Sequence, residues 1–486
     1  VKIAIIAAEM GPYAKAGGLA DVIGALPQAF RQAGAEPVVI LPAYRSVLDQ
    51  VEAAVVEEDC ELTFGAERET YRVLRASDDR GIPLYLIDHP GFFDRDGIYG
   101  ENGGDYSDNH RRYVFFGRAA AVLSANLRPD VLHAHDWHAA PSAIVARADD
   151  AIREKLAETV SAFTIHNLAF QGNFDSDEFS LLGLDRSWYS VANLEFFGQV
   201  NLMKGAIVLA DGVSTVSPTY ARETAQDAEL SFGLDGVLRD KGDHFTGILN
   251  GADYDEWDPA RDSHIVRFYS PERPAGKKAC LYDLREELKL PHRLATPVIG
   301  MVTRMAWQKG LDLLADAIDD VLQIGVQLVM LASGDPDLED RFGNAQRRYP
   351  EQLRMLNGFD NGFAHRIQAG SDMFLMPSRY EPCGLTQMYA LKYGTAPIVR
   401  ATGGLKDTVA EYDAASGSGN GFVFADYEPY ALVGAIERAA ELFREPREWA
   451  RLMRNCFAAD FSWNHAAGEY LRWFERLRVE RSAADD

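Results

Sequence analysis

The sequence predicts an α/β protein built from two doubly wound parallel sheets, each wrapped by crossover helices. Three observations lead there. The chain has 486 residues, more than one core comfortably holds, so two domains of about 200 residues each are expected. Short apolar runs rich in β-branched residues alternate with longer amphipathic stretches, the pattern of strands joined by helical crossovers. Several of those runs end in glycine or a polar residue, as strands do when their carboxyl ends face a ligand crevice.

In chain order, the first-half strand candidates are Ile3–Ala8, Pro37–Leu41, Leu84–Asp88, Val131–His135, Ala162–His166 and Gly212–Val216. The second half repeats the pattern with Val298–Thr303, Gln327–Ala332, Met373–Pro377, Pro397–Arg400 and Gly421–Phe424. The boundary is placed at 247/248, within Phe245–Asp258, ahead of a polar, proline-containing stretch from Asp258 to Lys278. This gives domains 1–247 and 248–460, the first joined by a C-terminal helix at 461–481. In that helix Ser462 is the expected N-cap, and Ala466, Tyr470, Trp473, Phe474 and Leu477 recur at helical spacing. The tail Ser482–Asp486 is expected to fray. The glycine-rich stretch Ser416–Gly421 precedes a strand and no helix, so it reads as a surface loop.

Composition narrows the function. Hydrophobic residues at 47 % and charged residues at 25 % are ordinary globular proportions and argue against disorder. With 49 basic and 73 acidic residues the net charge is −24, which disfavours nucleic acid and anionic membranes as partners. An anionic nucleotide substrate would need a local basic pocket. Cys60, Cys280, Cys383 and Cys456 lie far apart with no paired spacing, so neither a disulfide framework nor structural zinc is expected. The N-terminal apolar run is too short for a membrane helix, and the expectation is a cytoplasmic chain that begins with a core strand.

Three clusters carry candidate chemistry. Lys15-Ala16-Gly17-Gly18-Leu19 follows the first strand and opens a helix through Val22, Leu26 and Phe30. Its glycines leave room for backbone amides to approach a phosphate and Lys15 adds charge, although the same residues also read as a plain turn. It matches neither the dinucleotide fingerprint nor the P-loop. Arg304 and Lys309 bracket the end of one second-half strand, where two cations can neutralise a diphosphate leaving group; the alternative is surface charge beside a turn. Glu381-Pro382-Cys383-Gly384-Leu385-Thr386 follows another, offering a carboxylate for a polyol and a helix start for an anion. His133-Ala134-His135-Asp136-Trp137-His138 and Thr164-Ile165-His166-Asn167 end two further strands. Zinc is disfavoured there, since two histidines on one strand face lack a well-placed third ligand. His166, alone at its strand end, reads as core or substrate contact. The four Asp-x-Asp pairs are background in so acidic a chain, and no metal is expected.

These motifs, in this order, closely resemble bacterial glycogen synthase and plant starch synthase. The resemblance runs from Lys-x-Gly-Gly-Leu at 15–19 through His-Ala-His-Asp-Trp-His at 133–138 and Thr-Ile-His-Asn-Leu-Ala-Phe-Gln-Gly at 164–172. It continues with Val-Ser-Pro-Thr-Tyr-Ala-Arg-Glu at 216–223, Asn-Gly-Ala-Asp at 250–253 and Arg-x-x-x-Gln-Lys-Gly-Leu at 304–311. It closes on Ser-Arg-Tyr-Glu-Pro-Cys-Gly-Leu-Thr-Gln at 378–387 and Thr-Gly-Gly-Leu at 402–405.

The resemblance implies a GT-B-type glycosyltransferase of two Rossmann-like domains facing each other across a cleft, the first on the acceptor side and the second on the donor side. It implies retaining transfer of glucose from ADP-glucose to the non-reducing 4-OH of an α-1,4-glucan, without cofactor or metal. Carried over by position, Lys15, Gly18 and Asp21 lie at donor phosphate or glucose, and His166 at the transferred glucose. Arg304 and Lys309 clamp the diphosphate with Leu385 and Thr386, beside Cys383 and Gly384, while Glu381 binds sugar hydroxyls. Asn250 and Phe359 lie by the nucleotide, Phe359 as an adenine-stacking ring where many relatives have Tyr. Tyr99, Asp136, Trp137 and His138 are acceptor-side candidates. Tyr389, eight residues after Glu381, stands where many retaining relatives carry a second glutamate and favours the glycogen and starch branch. A UDP-glucose-dependent transferase and a non-catalytic glucan-binding homologue remain the alternatives.

Overall fold

The computed structural model describes residues 1–101 and 104–485. It divides into two compact units: Val1–Gly251 with Trp463–Asp486, and Ala252–Ser462.

The first unit holds β1 (Lys2–Ile6), α1 (Gly18–Gln32), β2 (Glu36–Pro42), β3 (Ala54–Phe64), β4 (Glu67–Ser77) and β5 (Pro83–Asp88). It continues with α2 (Asn109–Leu127), β6 (Val131–His135), α3 (Asp136–Ala148), β7 (Val160–Ile165), β8 (Gly212–Thr215) and β9 (Phe245–Gly247). The sheet order is β9-β8-β7-β6-β1-β2-β5-β4-β3. The strands from β9 to β5 are parallel, and β4 and β3 add an antiparallel edge. Ile3, Ile5, Leu132, Ala134, Ala162 and Phe163 are fully buried, as expected of a sheet covered on both faces.

The edge hairpin β3–β4 went unpredicted because its residues are mostly exposed and only Leu62, Phe64, Tyr71, Val73, Leu74 and Ala76 are buried apolar side chains. The three-residue β9 also escaped detection. The terminal helix, Trp463–Asp485, packs in this unit: Tyr470 and Phe474 each lie 6.0 Å from Phe30 of α1, centroid to centroid. It runs on through Asp485 where fraying was expected, and Asp486 lies outside the described residues.

The second unit holds β10 (Val298–Met305), β11 (Gln327–Gly334), β12 (Leu353–Leu356), α4 (Asn361–Gly370), β13 (Met373–Met376), α5 (Thr386–Lys392), β14 (Ala396–Arg400), α6 (Gly403–Thr408) and β15 (Phe422–Phe424). Its strands are all parallel, in the order β12-β11-β10-β13-β14-β15. That is the doubly wound order in which connections diverge between the first and fourth strands, opening a crevice at their carboxyl ends. Ile299, Met301, Leu328, Met330, Met373, Leu375 and Ile398 form the heart of its core. The stretch Ser416–Gly421 is a turn-rich loop closed by Asp413, without phosphate-loop geometry.

Candidate functional site

In the second unit the crevice forms between β10 and β13, and the two strands deliver Lys309 and Glu381 to each other. The Lys309 ammonium lies 3.0 and 2.8 Å from the Glu381 carboxylate oxygens, and Ser378 Oγ donates to the same carboxylate at 3.0 Å. Glu381 is buried and Lys309 is partly exposed, so the pair presents one cationic end toward solvent.

Glycine makes this geometry possible. Gly310 has φ 68°, and a Cβ there would stand 2.0 Å from Pro377 O, so the turn after β10 lies flat on the end of β13. Gly403 (φ 44°) and Gly404 press on the Glu381 turn: added Cβ atoms would fall 1.9 Å from Glu381 O and 2.2 Å from Cys383 O. Gly404 N–H also donates to Glu381 O at 3.0 Å. No side chain fits at either position.

The remaining second-unit candidates lie around these strand ends. Arg304 is exposed at the end of β10. Phe359 follows β12 and is 76 % exposed, leaving its ring accessible for stacking. Leu385 caps α5 without a side-chain hydrogen bond, while the Thr386 hydroxyl turns back to Met376 Sδ at 3.2 Å. Cys383 is buried and forms no disulfide, and Gly384 adopts φ 72°. Tyr389 is buried with its ring stacked 4.2 Å from Trp257, so this position, eight residues after Glu381, belongs to the core.

In the first unit the corresponding divergence lies between β1 and β6. Glu9, a residue the sequence reading did not single out, organises the glycine loop. Its buried carboxylate accepts from Ala16 N–H at 2.8 Å and Gly17 N–H at 2.7 Å, and from Tyr99 Oη–H at 2.6 Å. Of the loop amides that the glycines leave room for, those of Ala16 and Gly17 are therefore already held from inside. Gly18 differs: a Cβ there would meet nothing within 4 Å, so its backbone faces open space. Lys15 lies 2.5 Å from the Asp21 carboxylate, with both side chains partly exposed. Such a solvent-facing pair is weak, and an incoming anion can compete for the ammonium.

His166 is not alone. Its Nε2 lies 2.9 Å from His135 Nδ1, and its backbone N–H donates to Asp136 Oδ1 at 2.7 Å. His133 Nε2 meets Thr164 Oγ1 at 2.7 Å, and that hydroxyl meets Ser214 Oγ at 2.7 Å, a chain across β6, β7 and β8. Burial holds the His133 and His166 imidazoles down to about 3, and His135 and His138 well below the ordinary value, so the set is neutral. Burial pushes the Asp136 acid up to about 7, against the opposing pull of hydrogen bonds from the backbone at His166 and Asn167. Asp136 also has φ 56°, the left-handed region, at the sharp exit from β6.

Tyr99, Trp137 and His138 come together through ring contacts: Tyr99 stacks 4.6 Å from the His138 ring, and Trp137 lies tilted 4.1 Å from it. Trp137 also rests on Gly172, where a Cβ would fall 2.5 Å from Trp137 Cε3. Asn250 is buried, and its side-chain oxygen has no hydrogen-bond partner among the described residues. No group of three or more His, Cys, Asp or Glu among the described residues is arranged to hold a metal ion. The Asp-x-Asp pairs have local roles instead: Asp335 caps a helix that includes Asp337, and Asp94 and Asp96 both pair with Arg45. No helix among the described residues is long and apolar enough to cross a membrane.

Comparison with known proteins gives these strand ends a family. The model for the starch synthase catalytic domain matches residues 2–240, and that for glycosyl transferases group 1 matches residues 285–454. The glycogen synthase of Anaeromyxobacter dehalogenans (strain 2CP-C) is 43 % identical over 480 residues, covering 98 % of this chain and 100 % of that protein. The chain belongs to the glycogen and starch synthase family. Its fold agrees with that of a solved relative in the family, the catalytic domain of starch synthase IV from Arabidopsis thaliana bound to ADP and acarbose. The TM-score is 0.89 at 34 % identity, over 98 % of this chain and 99 % of that one. A sucrose-phosphate synthase from Thermosynechococcus elongatus, 17 % identical with TM-score 0.58 and covering 99 % of each chain, shares the two-unit GT-B fold with this synthase-family chain.

Proposed function

We propose that this chain is an ADP-glucose-dependent α-1,4-glucan synthase that transfers glucose to the non-reducing 4-OH with retention and releases ADP. The observation that carries this reading is the Lys309–Glu381 pair at the β10/β13 divergence, with exposed Arg304 on the same strand end. An ammonium and a guanidinium there suit a diphosphate, and a buried carboxylate suits neutral hydroxyls. The solved family member bound to ADP and acarbose supports both substrate classes.

In the proposed reaction the bond from glucose C1 to the diphosphate oxygen breaks through an oxocarbenium-like state. The acceptor 4-oxygen attacks C1 on the face the diphosphate leaves, and its proton passes to the departing phosphate oxygen. Arg304 and Lys309 take up the charge that develops there, with Lys15 at donor phosphate or glucose. These cations supply the positive charge in place of a metal, so a chelator should leave turnover unchanged. Glu381 orients sugar hydroxyls and is itself held by Ser378. A neutral His166 accepts or donates a hydrogen bond at the transferred glucose without adding charge near C1. Phe359 stacks on adenine, Asn250 offers its free oxygen to the nucleotide, and Tyr99, Asp136, Trp137 and His138 line the acceptor side.

The test is nucleotide release from ADP-glucose and from UDP-glucose, each with and without glycogen. Glycogen-dependent ADP release, at least about tenfold faster than UDP release, is expected; each 1.4 kcal/mol of donor preference is one factor of ten. Faster UDP release would reassign the donor, and release of neither nucleotide would leave a glucan-binding homologue.

A further inference from the structure

The turn that presents Lys309 is gripped at both ends by one residue of the neighbouring strand end, Arg379. Its backbone N–H donates at 2.9 Å to the carbonyl oxygen of Gln308, the residue just ahead of Lys309. Its guanidinium pairs with the carboxylate of Asp312, three residues beyond Lys309, in the first turn of the helix Leu311–Asp316. Arg379 itself stands two residues before Glu381, the other member of the buried pair. Gln308 Nε2 also donates to Tyr380 O at 3.4 Å, which laces the end of β10 to the end of β13.

Rings as well as charge hold the guanidinium. Its Cζ lies 4.8 Å from the centre of the Trp307 ring and 4.1 Å from that of Tyr427. Tyr427 Oη in turn donates to Asp312 Oδ1 at 2.6 Å. Arg400, at the end of β14, donates to Arg379 O at 2.5 Å and lies 5.5 Å from the Tyr427 ring. The carboxyl ends of β10, β13 and β14, with Tyr427 from beyond β15, therefore meet at one residue. An isolated surface ion pair between Arg379 and Asp312 would contribute little. A planar guanidinium placed against two rings, with a carboxylate at its edge, is a fixed geometry that a lysine does not reproduce.

We infer that Arg379 is a positioning residue, which clamps the segment 308–312 so that the Lys309 ammonium stands fixed where charge develops on the departing diphosphate. The inference rests on the proposed reaction and deepens it. A lysine reaches its target on a flexible stem, so the precision of its charge depends on how firmly its backbone is held. Arg379 supplies that firmness from both sides of Lys309, with Asp312 as its anchor. The rival role for a third cation at these strand ends is direct contact with phosphate.

Asp312→Asn separates the two roles by sign. Weakening the anchor frees the guanidinium, so a phosphate ligand would keep or improve kcat with ADP-glucose, whereas a clamp loses it. A misplacement of about 1 Å can cost ~10²-fold, so kcat should fall about tenfold in Asp312→Asn and about a hundredfold in Arg379→Met. KM for ADP-glucose should stay within about threefold, because the interaction lost belongs to the transition state. Arg379→Lys keeps the charge and the backbone contact and should recover only part of kcat. Added to Lys309→Ala, Arg379→Met should lower kcat by less than about threefold more, since no ammonium is left to place. Hydrogen exchange reads the clamp without turnover: the 308–312 amides should exchange faster in Arg379→Met and Arg379→Lys, while β10 and β13 keep their protection. Unchanged or raised kcat in Asp312→Asn, or a full further loss in the double variant, would overturn the proposal. So would unchanged exchange at 308–312, or protection lost equally through β10 and β13, which would make Arg379 a residue of the fold alone. A wild-type chain that transfers no glucose would remove the proposed activity, and hydrogen exchange would still decide the clamp.

Discussion

The glycines at the two strand-end divergences behave oppositely. In the second unit Gly310, Gly403 and Gly404 are required by the fold, through positive φ or backbone contacts that leave no space for a Cβ. In the first unit Gly17 has extended backbone, with φ −150°, and Gly18 faces open space, so neither crowding nor handedness calls for glycine there. One set locks a carboxylate and a lysine together. The other leaves a backbone surface bare, with room for a group from outside the fold to come close.

Gly403→Ala should show the largest effect of that contrast. It forces a Cβ into Glu381 O and strains a left-handed residue, costing about 1–3 kcal/mol for the backbone before the clash is counted. Tm should fall and glucosyl transfer should be lost together. Gly18→Ala should separate the two readouts. Alanine opens a helix at least as well as glycine, so Tm should hold or rise while KM for the nucleotide sugar increases about tenfold or more. Unchanged kinetics in Gly18→Ala would mean that the loop is only a turn.

A smaller and slower contrast lies in the histidines. In the first unit burial holds His133, His135, His138 and His166 below their unfolded value of about 6.5, so their stabilisation is complete above that pH and is lost as pH falls below it, down to about 3 for His133 and His166. Asp136, raised to about 7, opposes this between about pH 4 and 7, one group against four. In the second unit burial pulls His365 down, but hydrogen bonds and charge from Asp262 and Glu256 outweigh it and raise the imidazole. Its stabilisation is complete below about 6.5 and is lost as pH rises through the raised folded value. Its partner Asp262, lowered despite burial by hydrogen bonds from His365 and Tyr393, stabilises above about 3.9 and loses that as pH falls through its folded value. Between pH 8 and 5.5, hydrogen exchange corrected for intrinsic rates should therefore show protection falling around β6 and β7 and holding around α4. Equal losses in both would remove the distinction.

What the sequence made legible follows the same physics. Parallel strands covered on both faces print continuous apolar runs, and the glycine and charge clusters at their ends stand out against them, so Lys15, Arg304, Lys309 and Glu381 could be found. Glu9 could not, because its meaning depends on Tyr99, ninety positions away, and on two backbone amides. The His135–His166 contact joins residues 31 positions apart, and only the adjacency of β6 and β7 brings them together. The β3–β4 hairpin faces water over most of its length, and water-facing strands leave little hydrophobic signal.

The central claim is that fixed cations at the end of β10 stabilise the diphosphate as it leaves glucose. Its most direct test is kcat for ADP release from ADP-glucose with saturating glycogen, comparing wild type with Lys309→Ala and Arg304→Ala. Removing one oriented donor from such a site commonly lowers the rate by ~10²–10³, and a drop of that size in kcat is expected for Lys309→Ala, with Tm showing the fold intact. Near-normal turnover in Lys309→Ala would contradict the account.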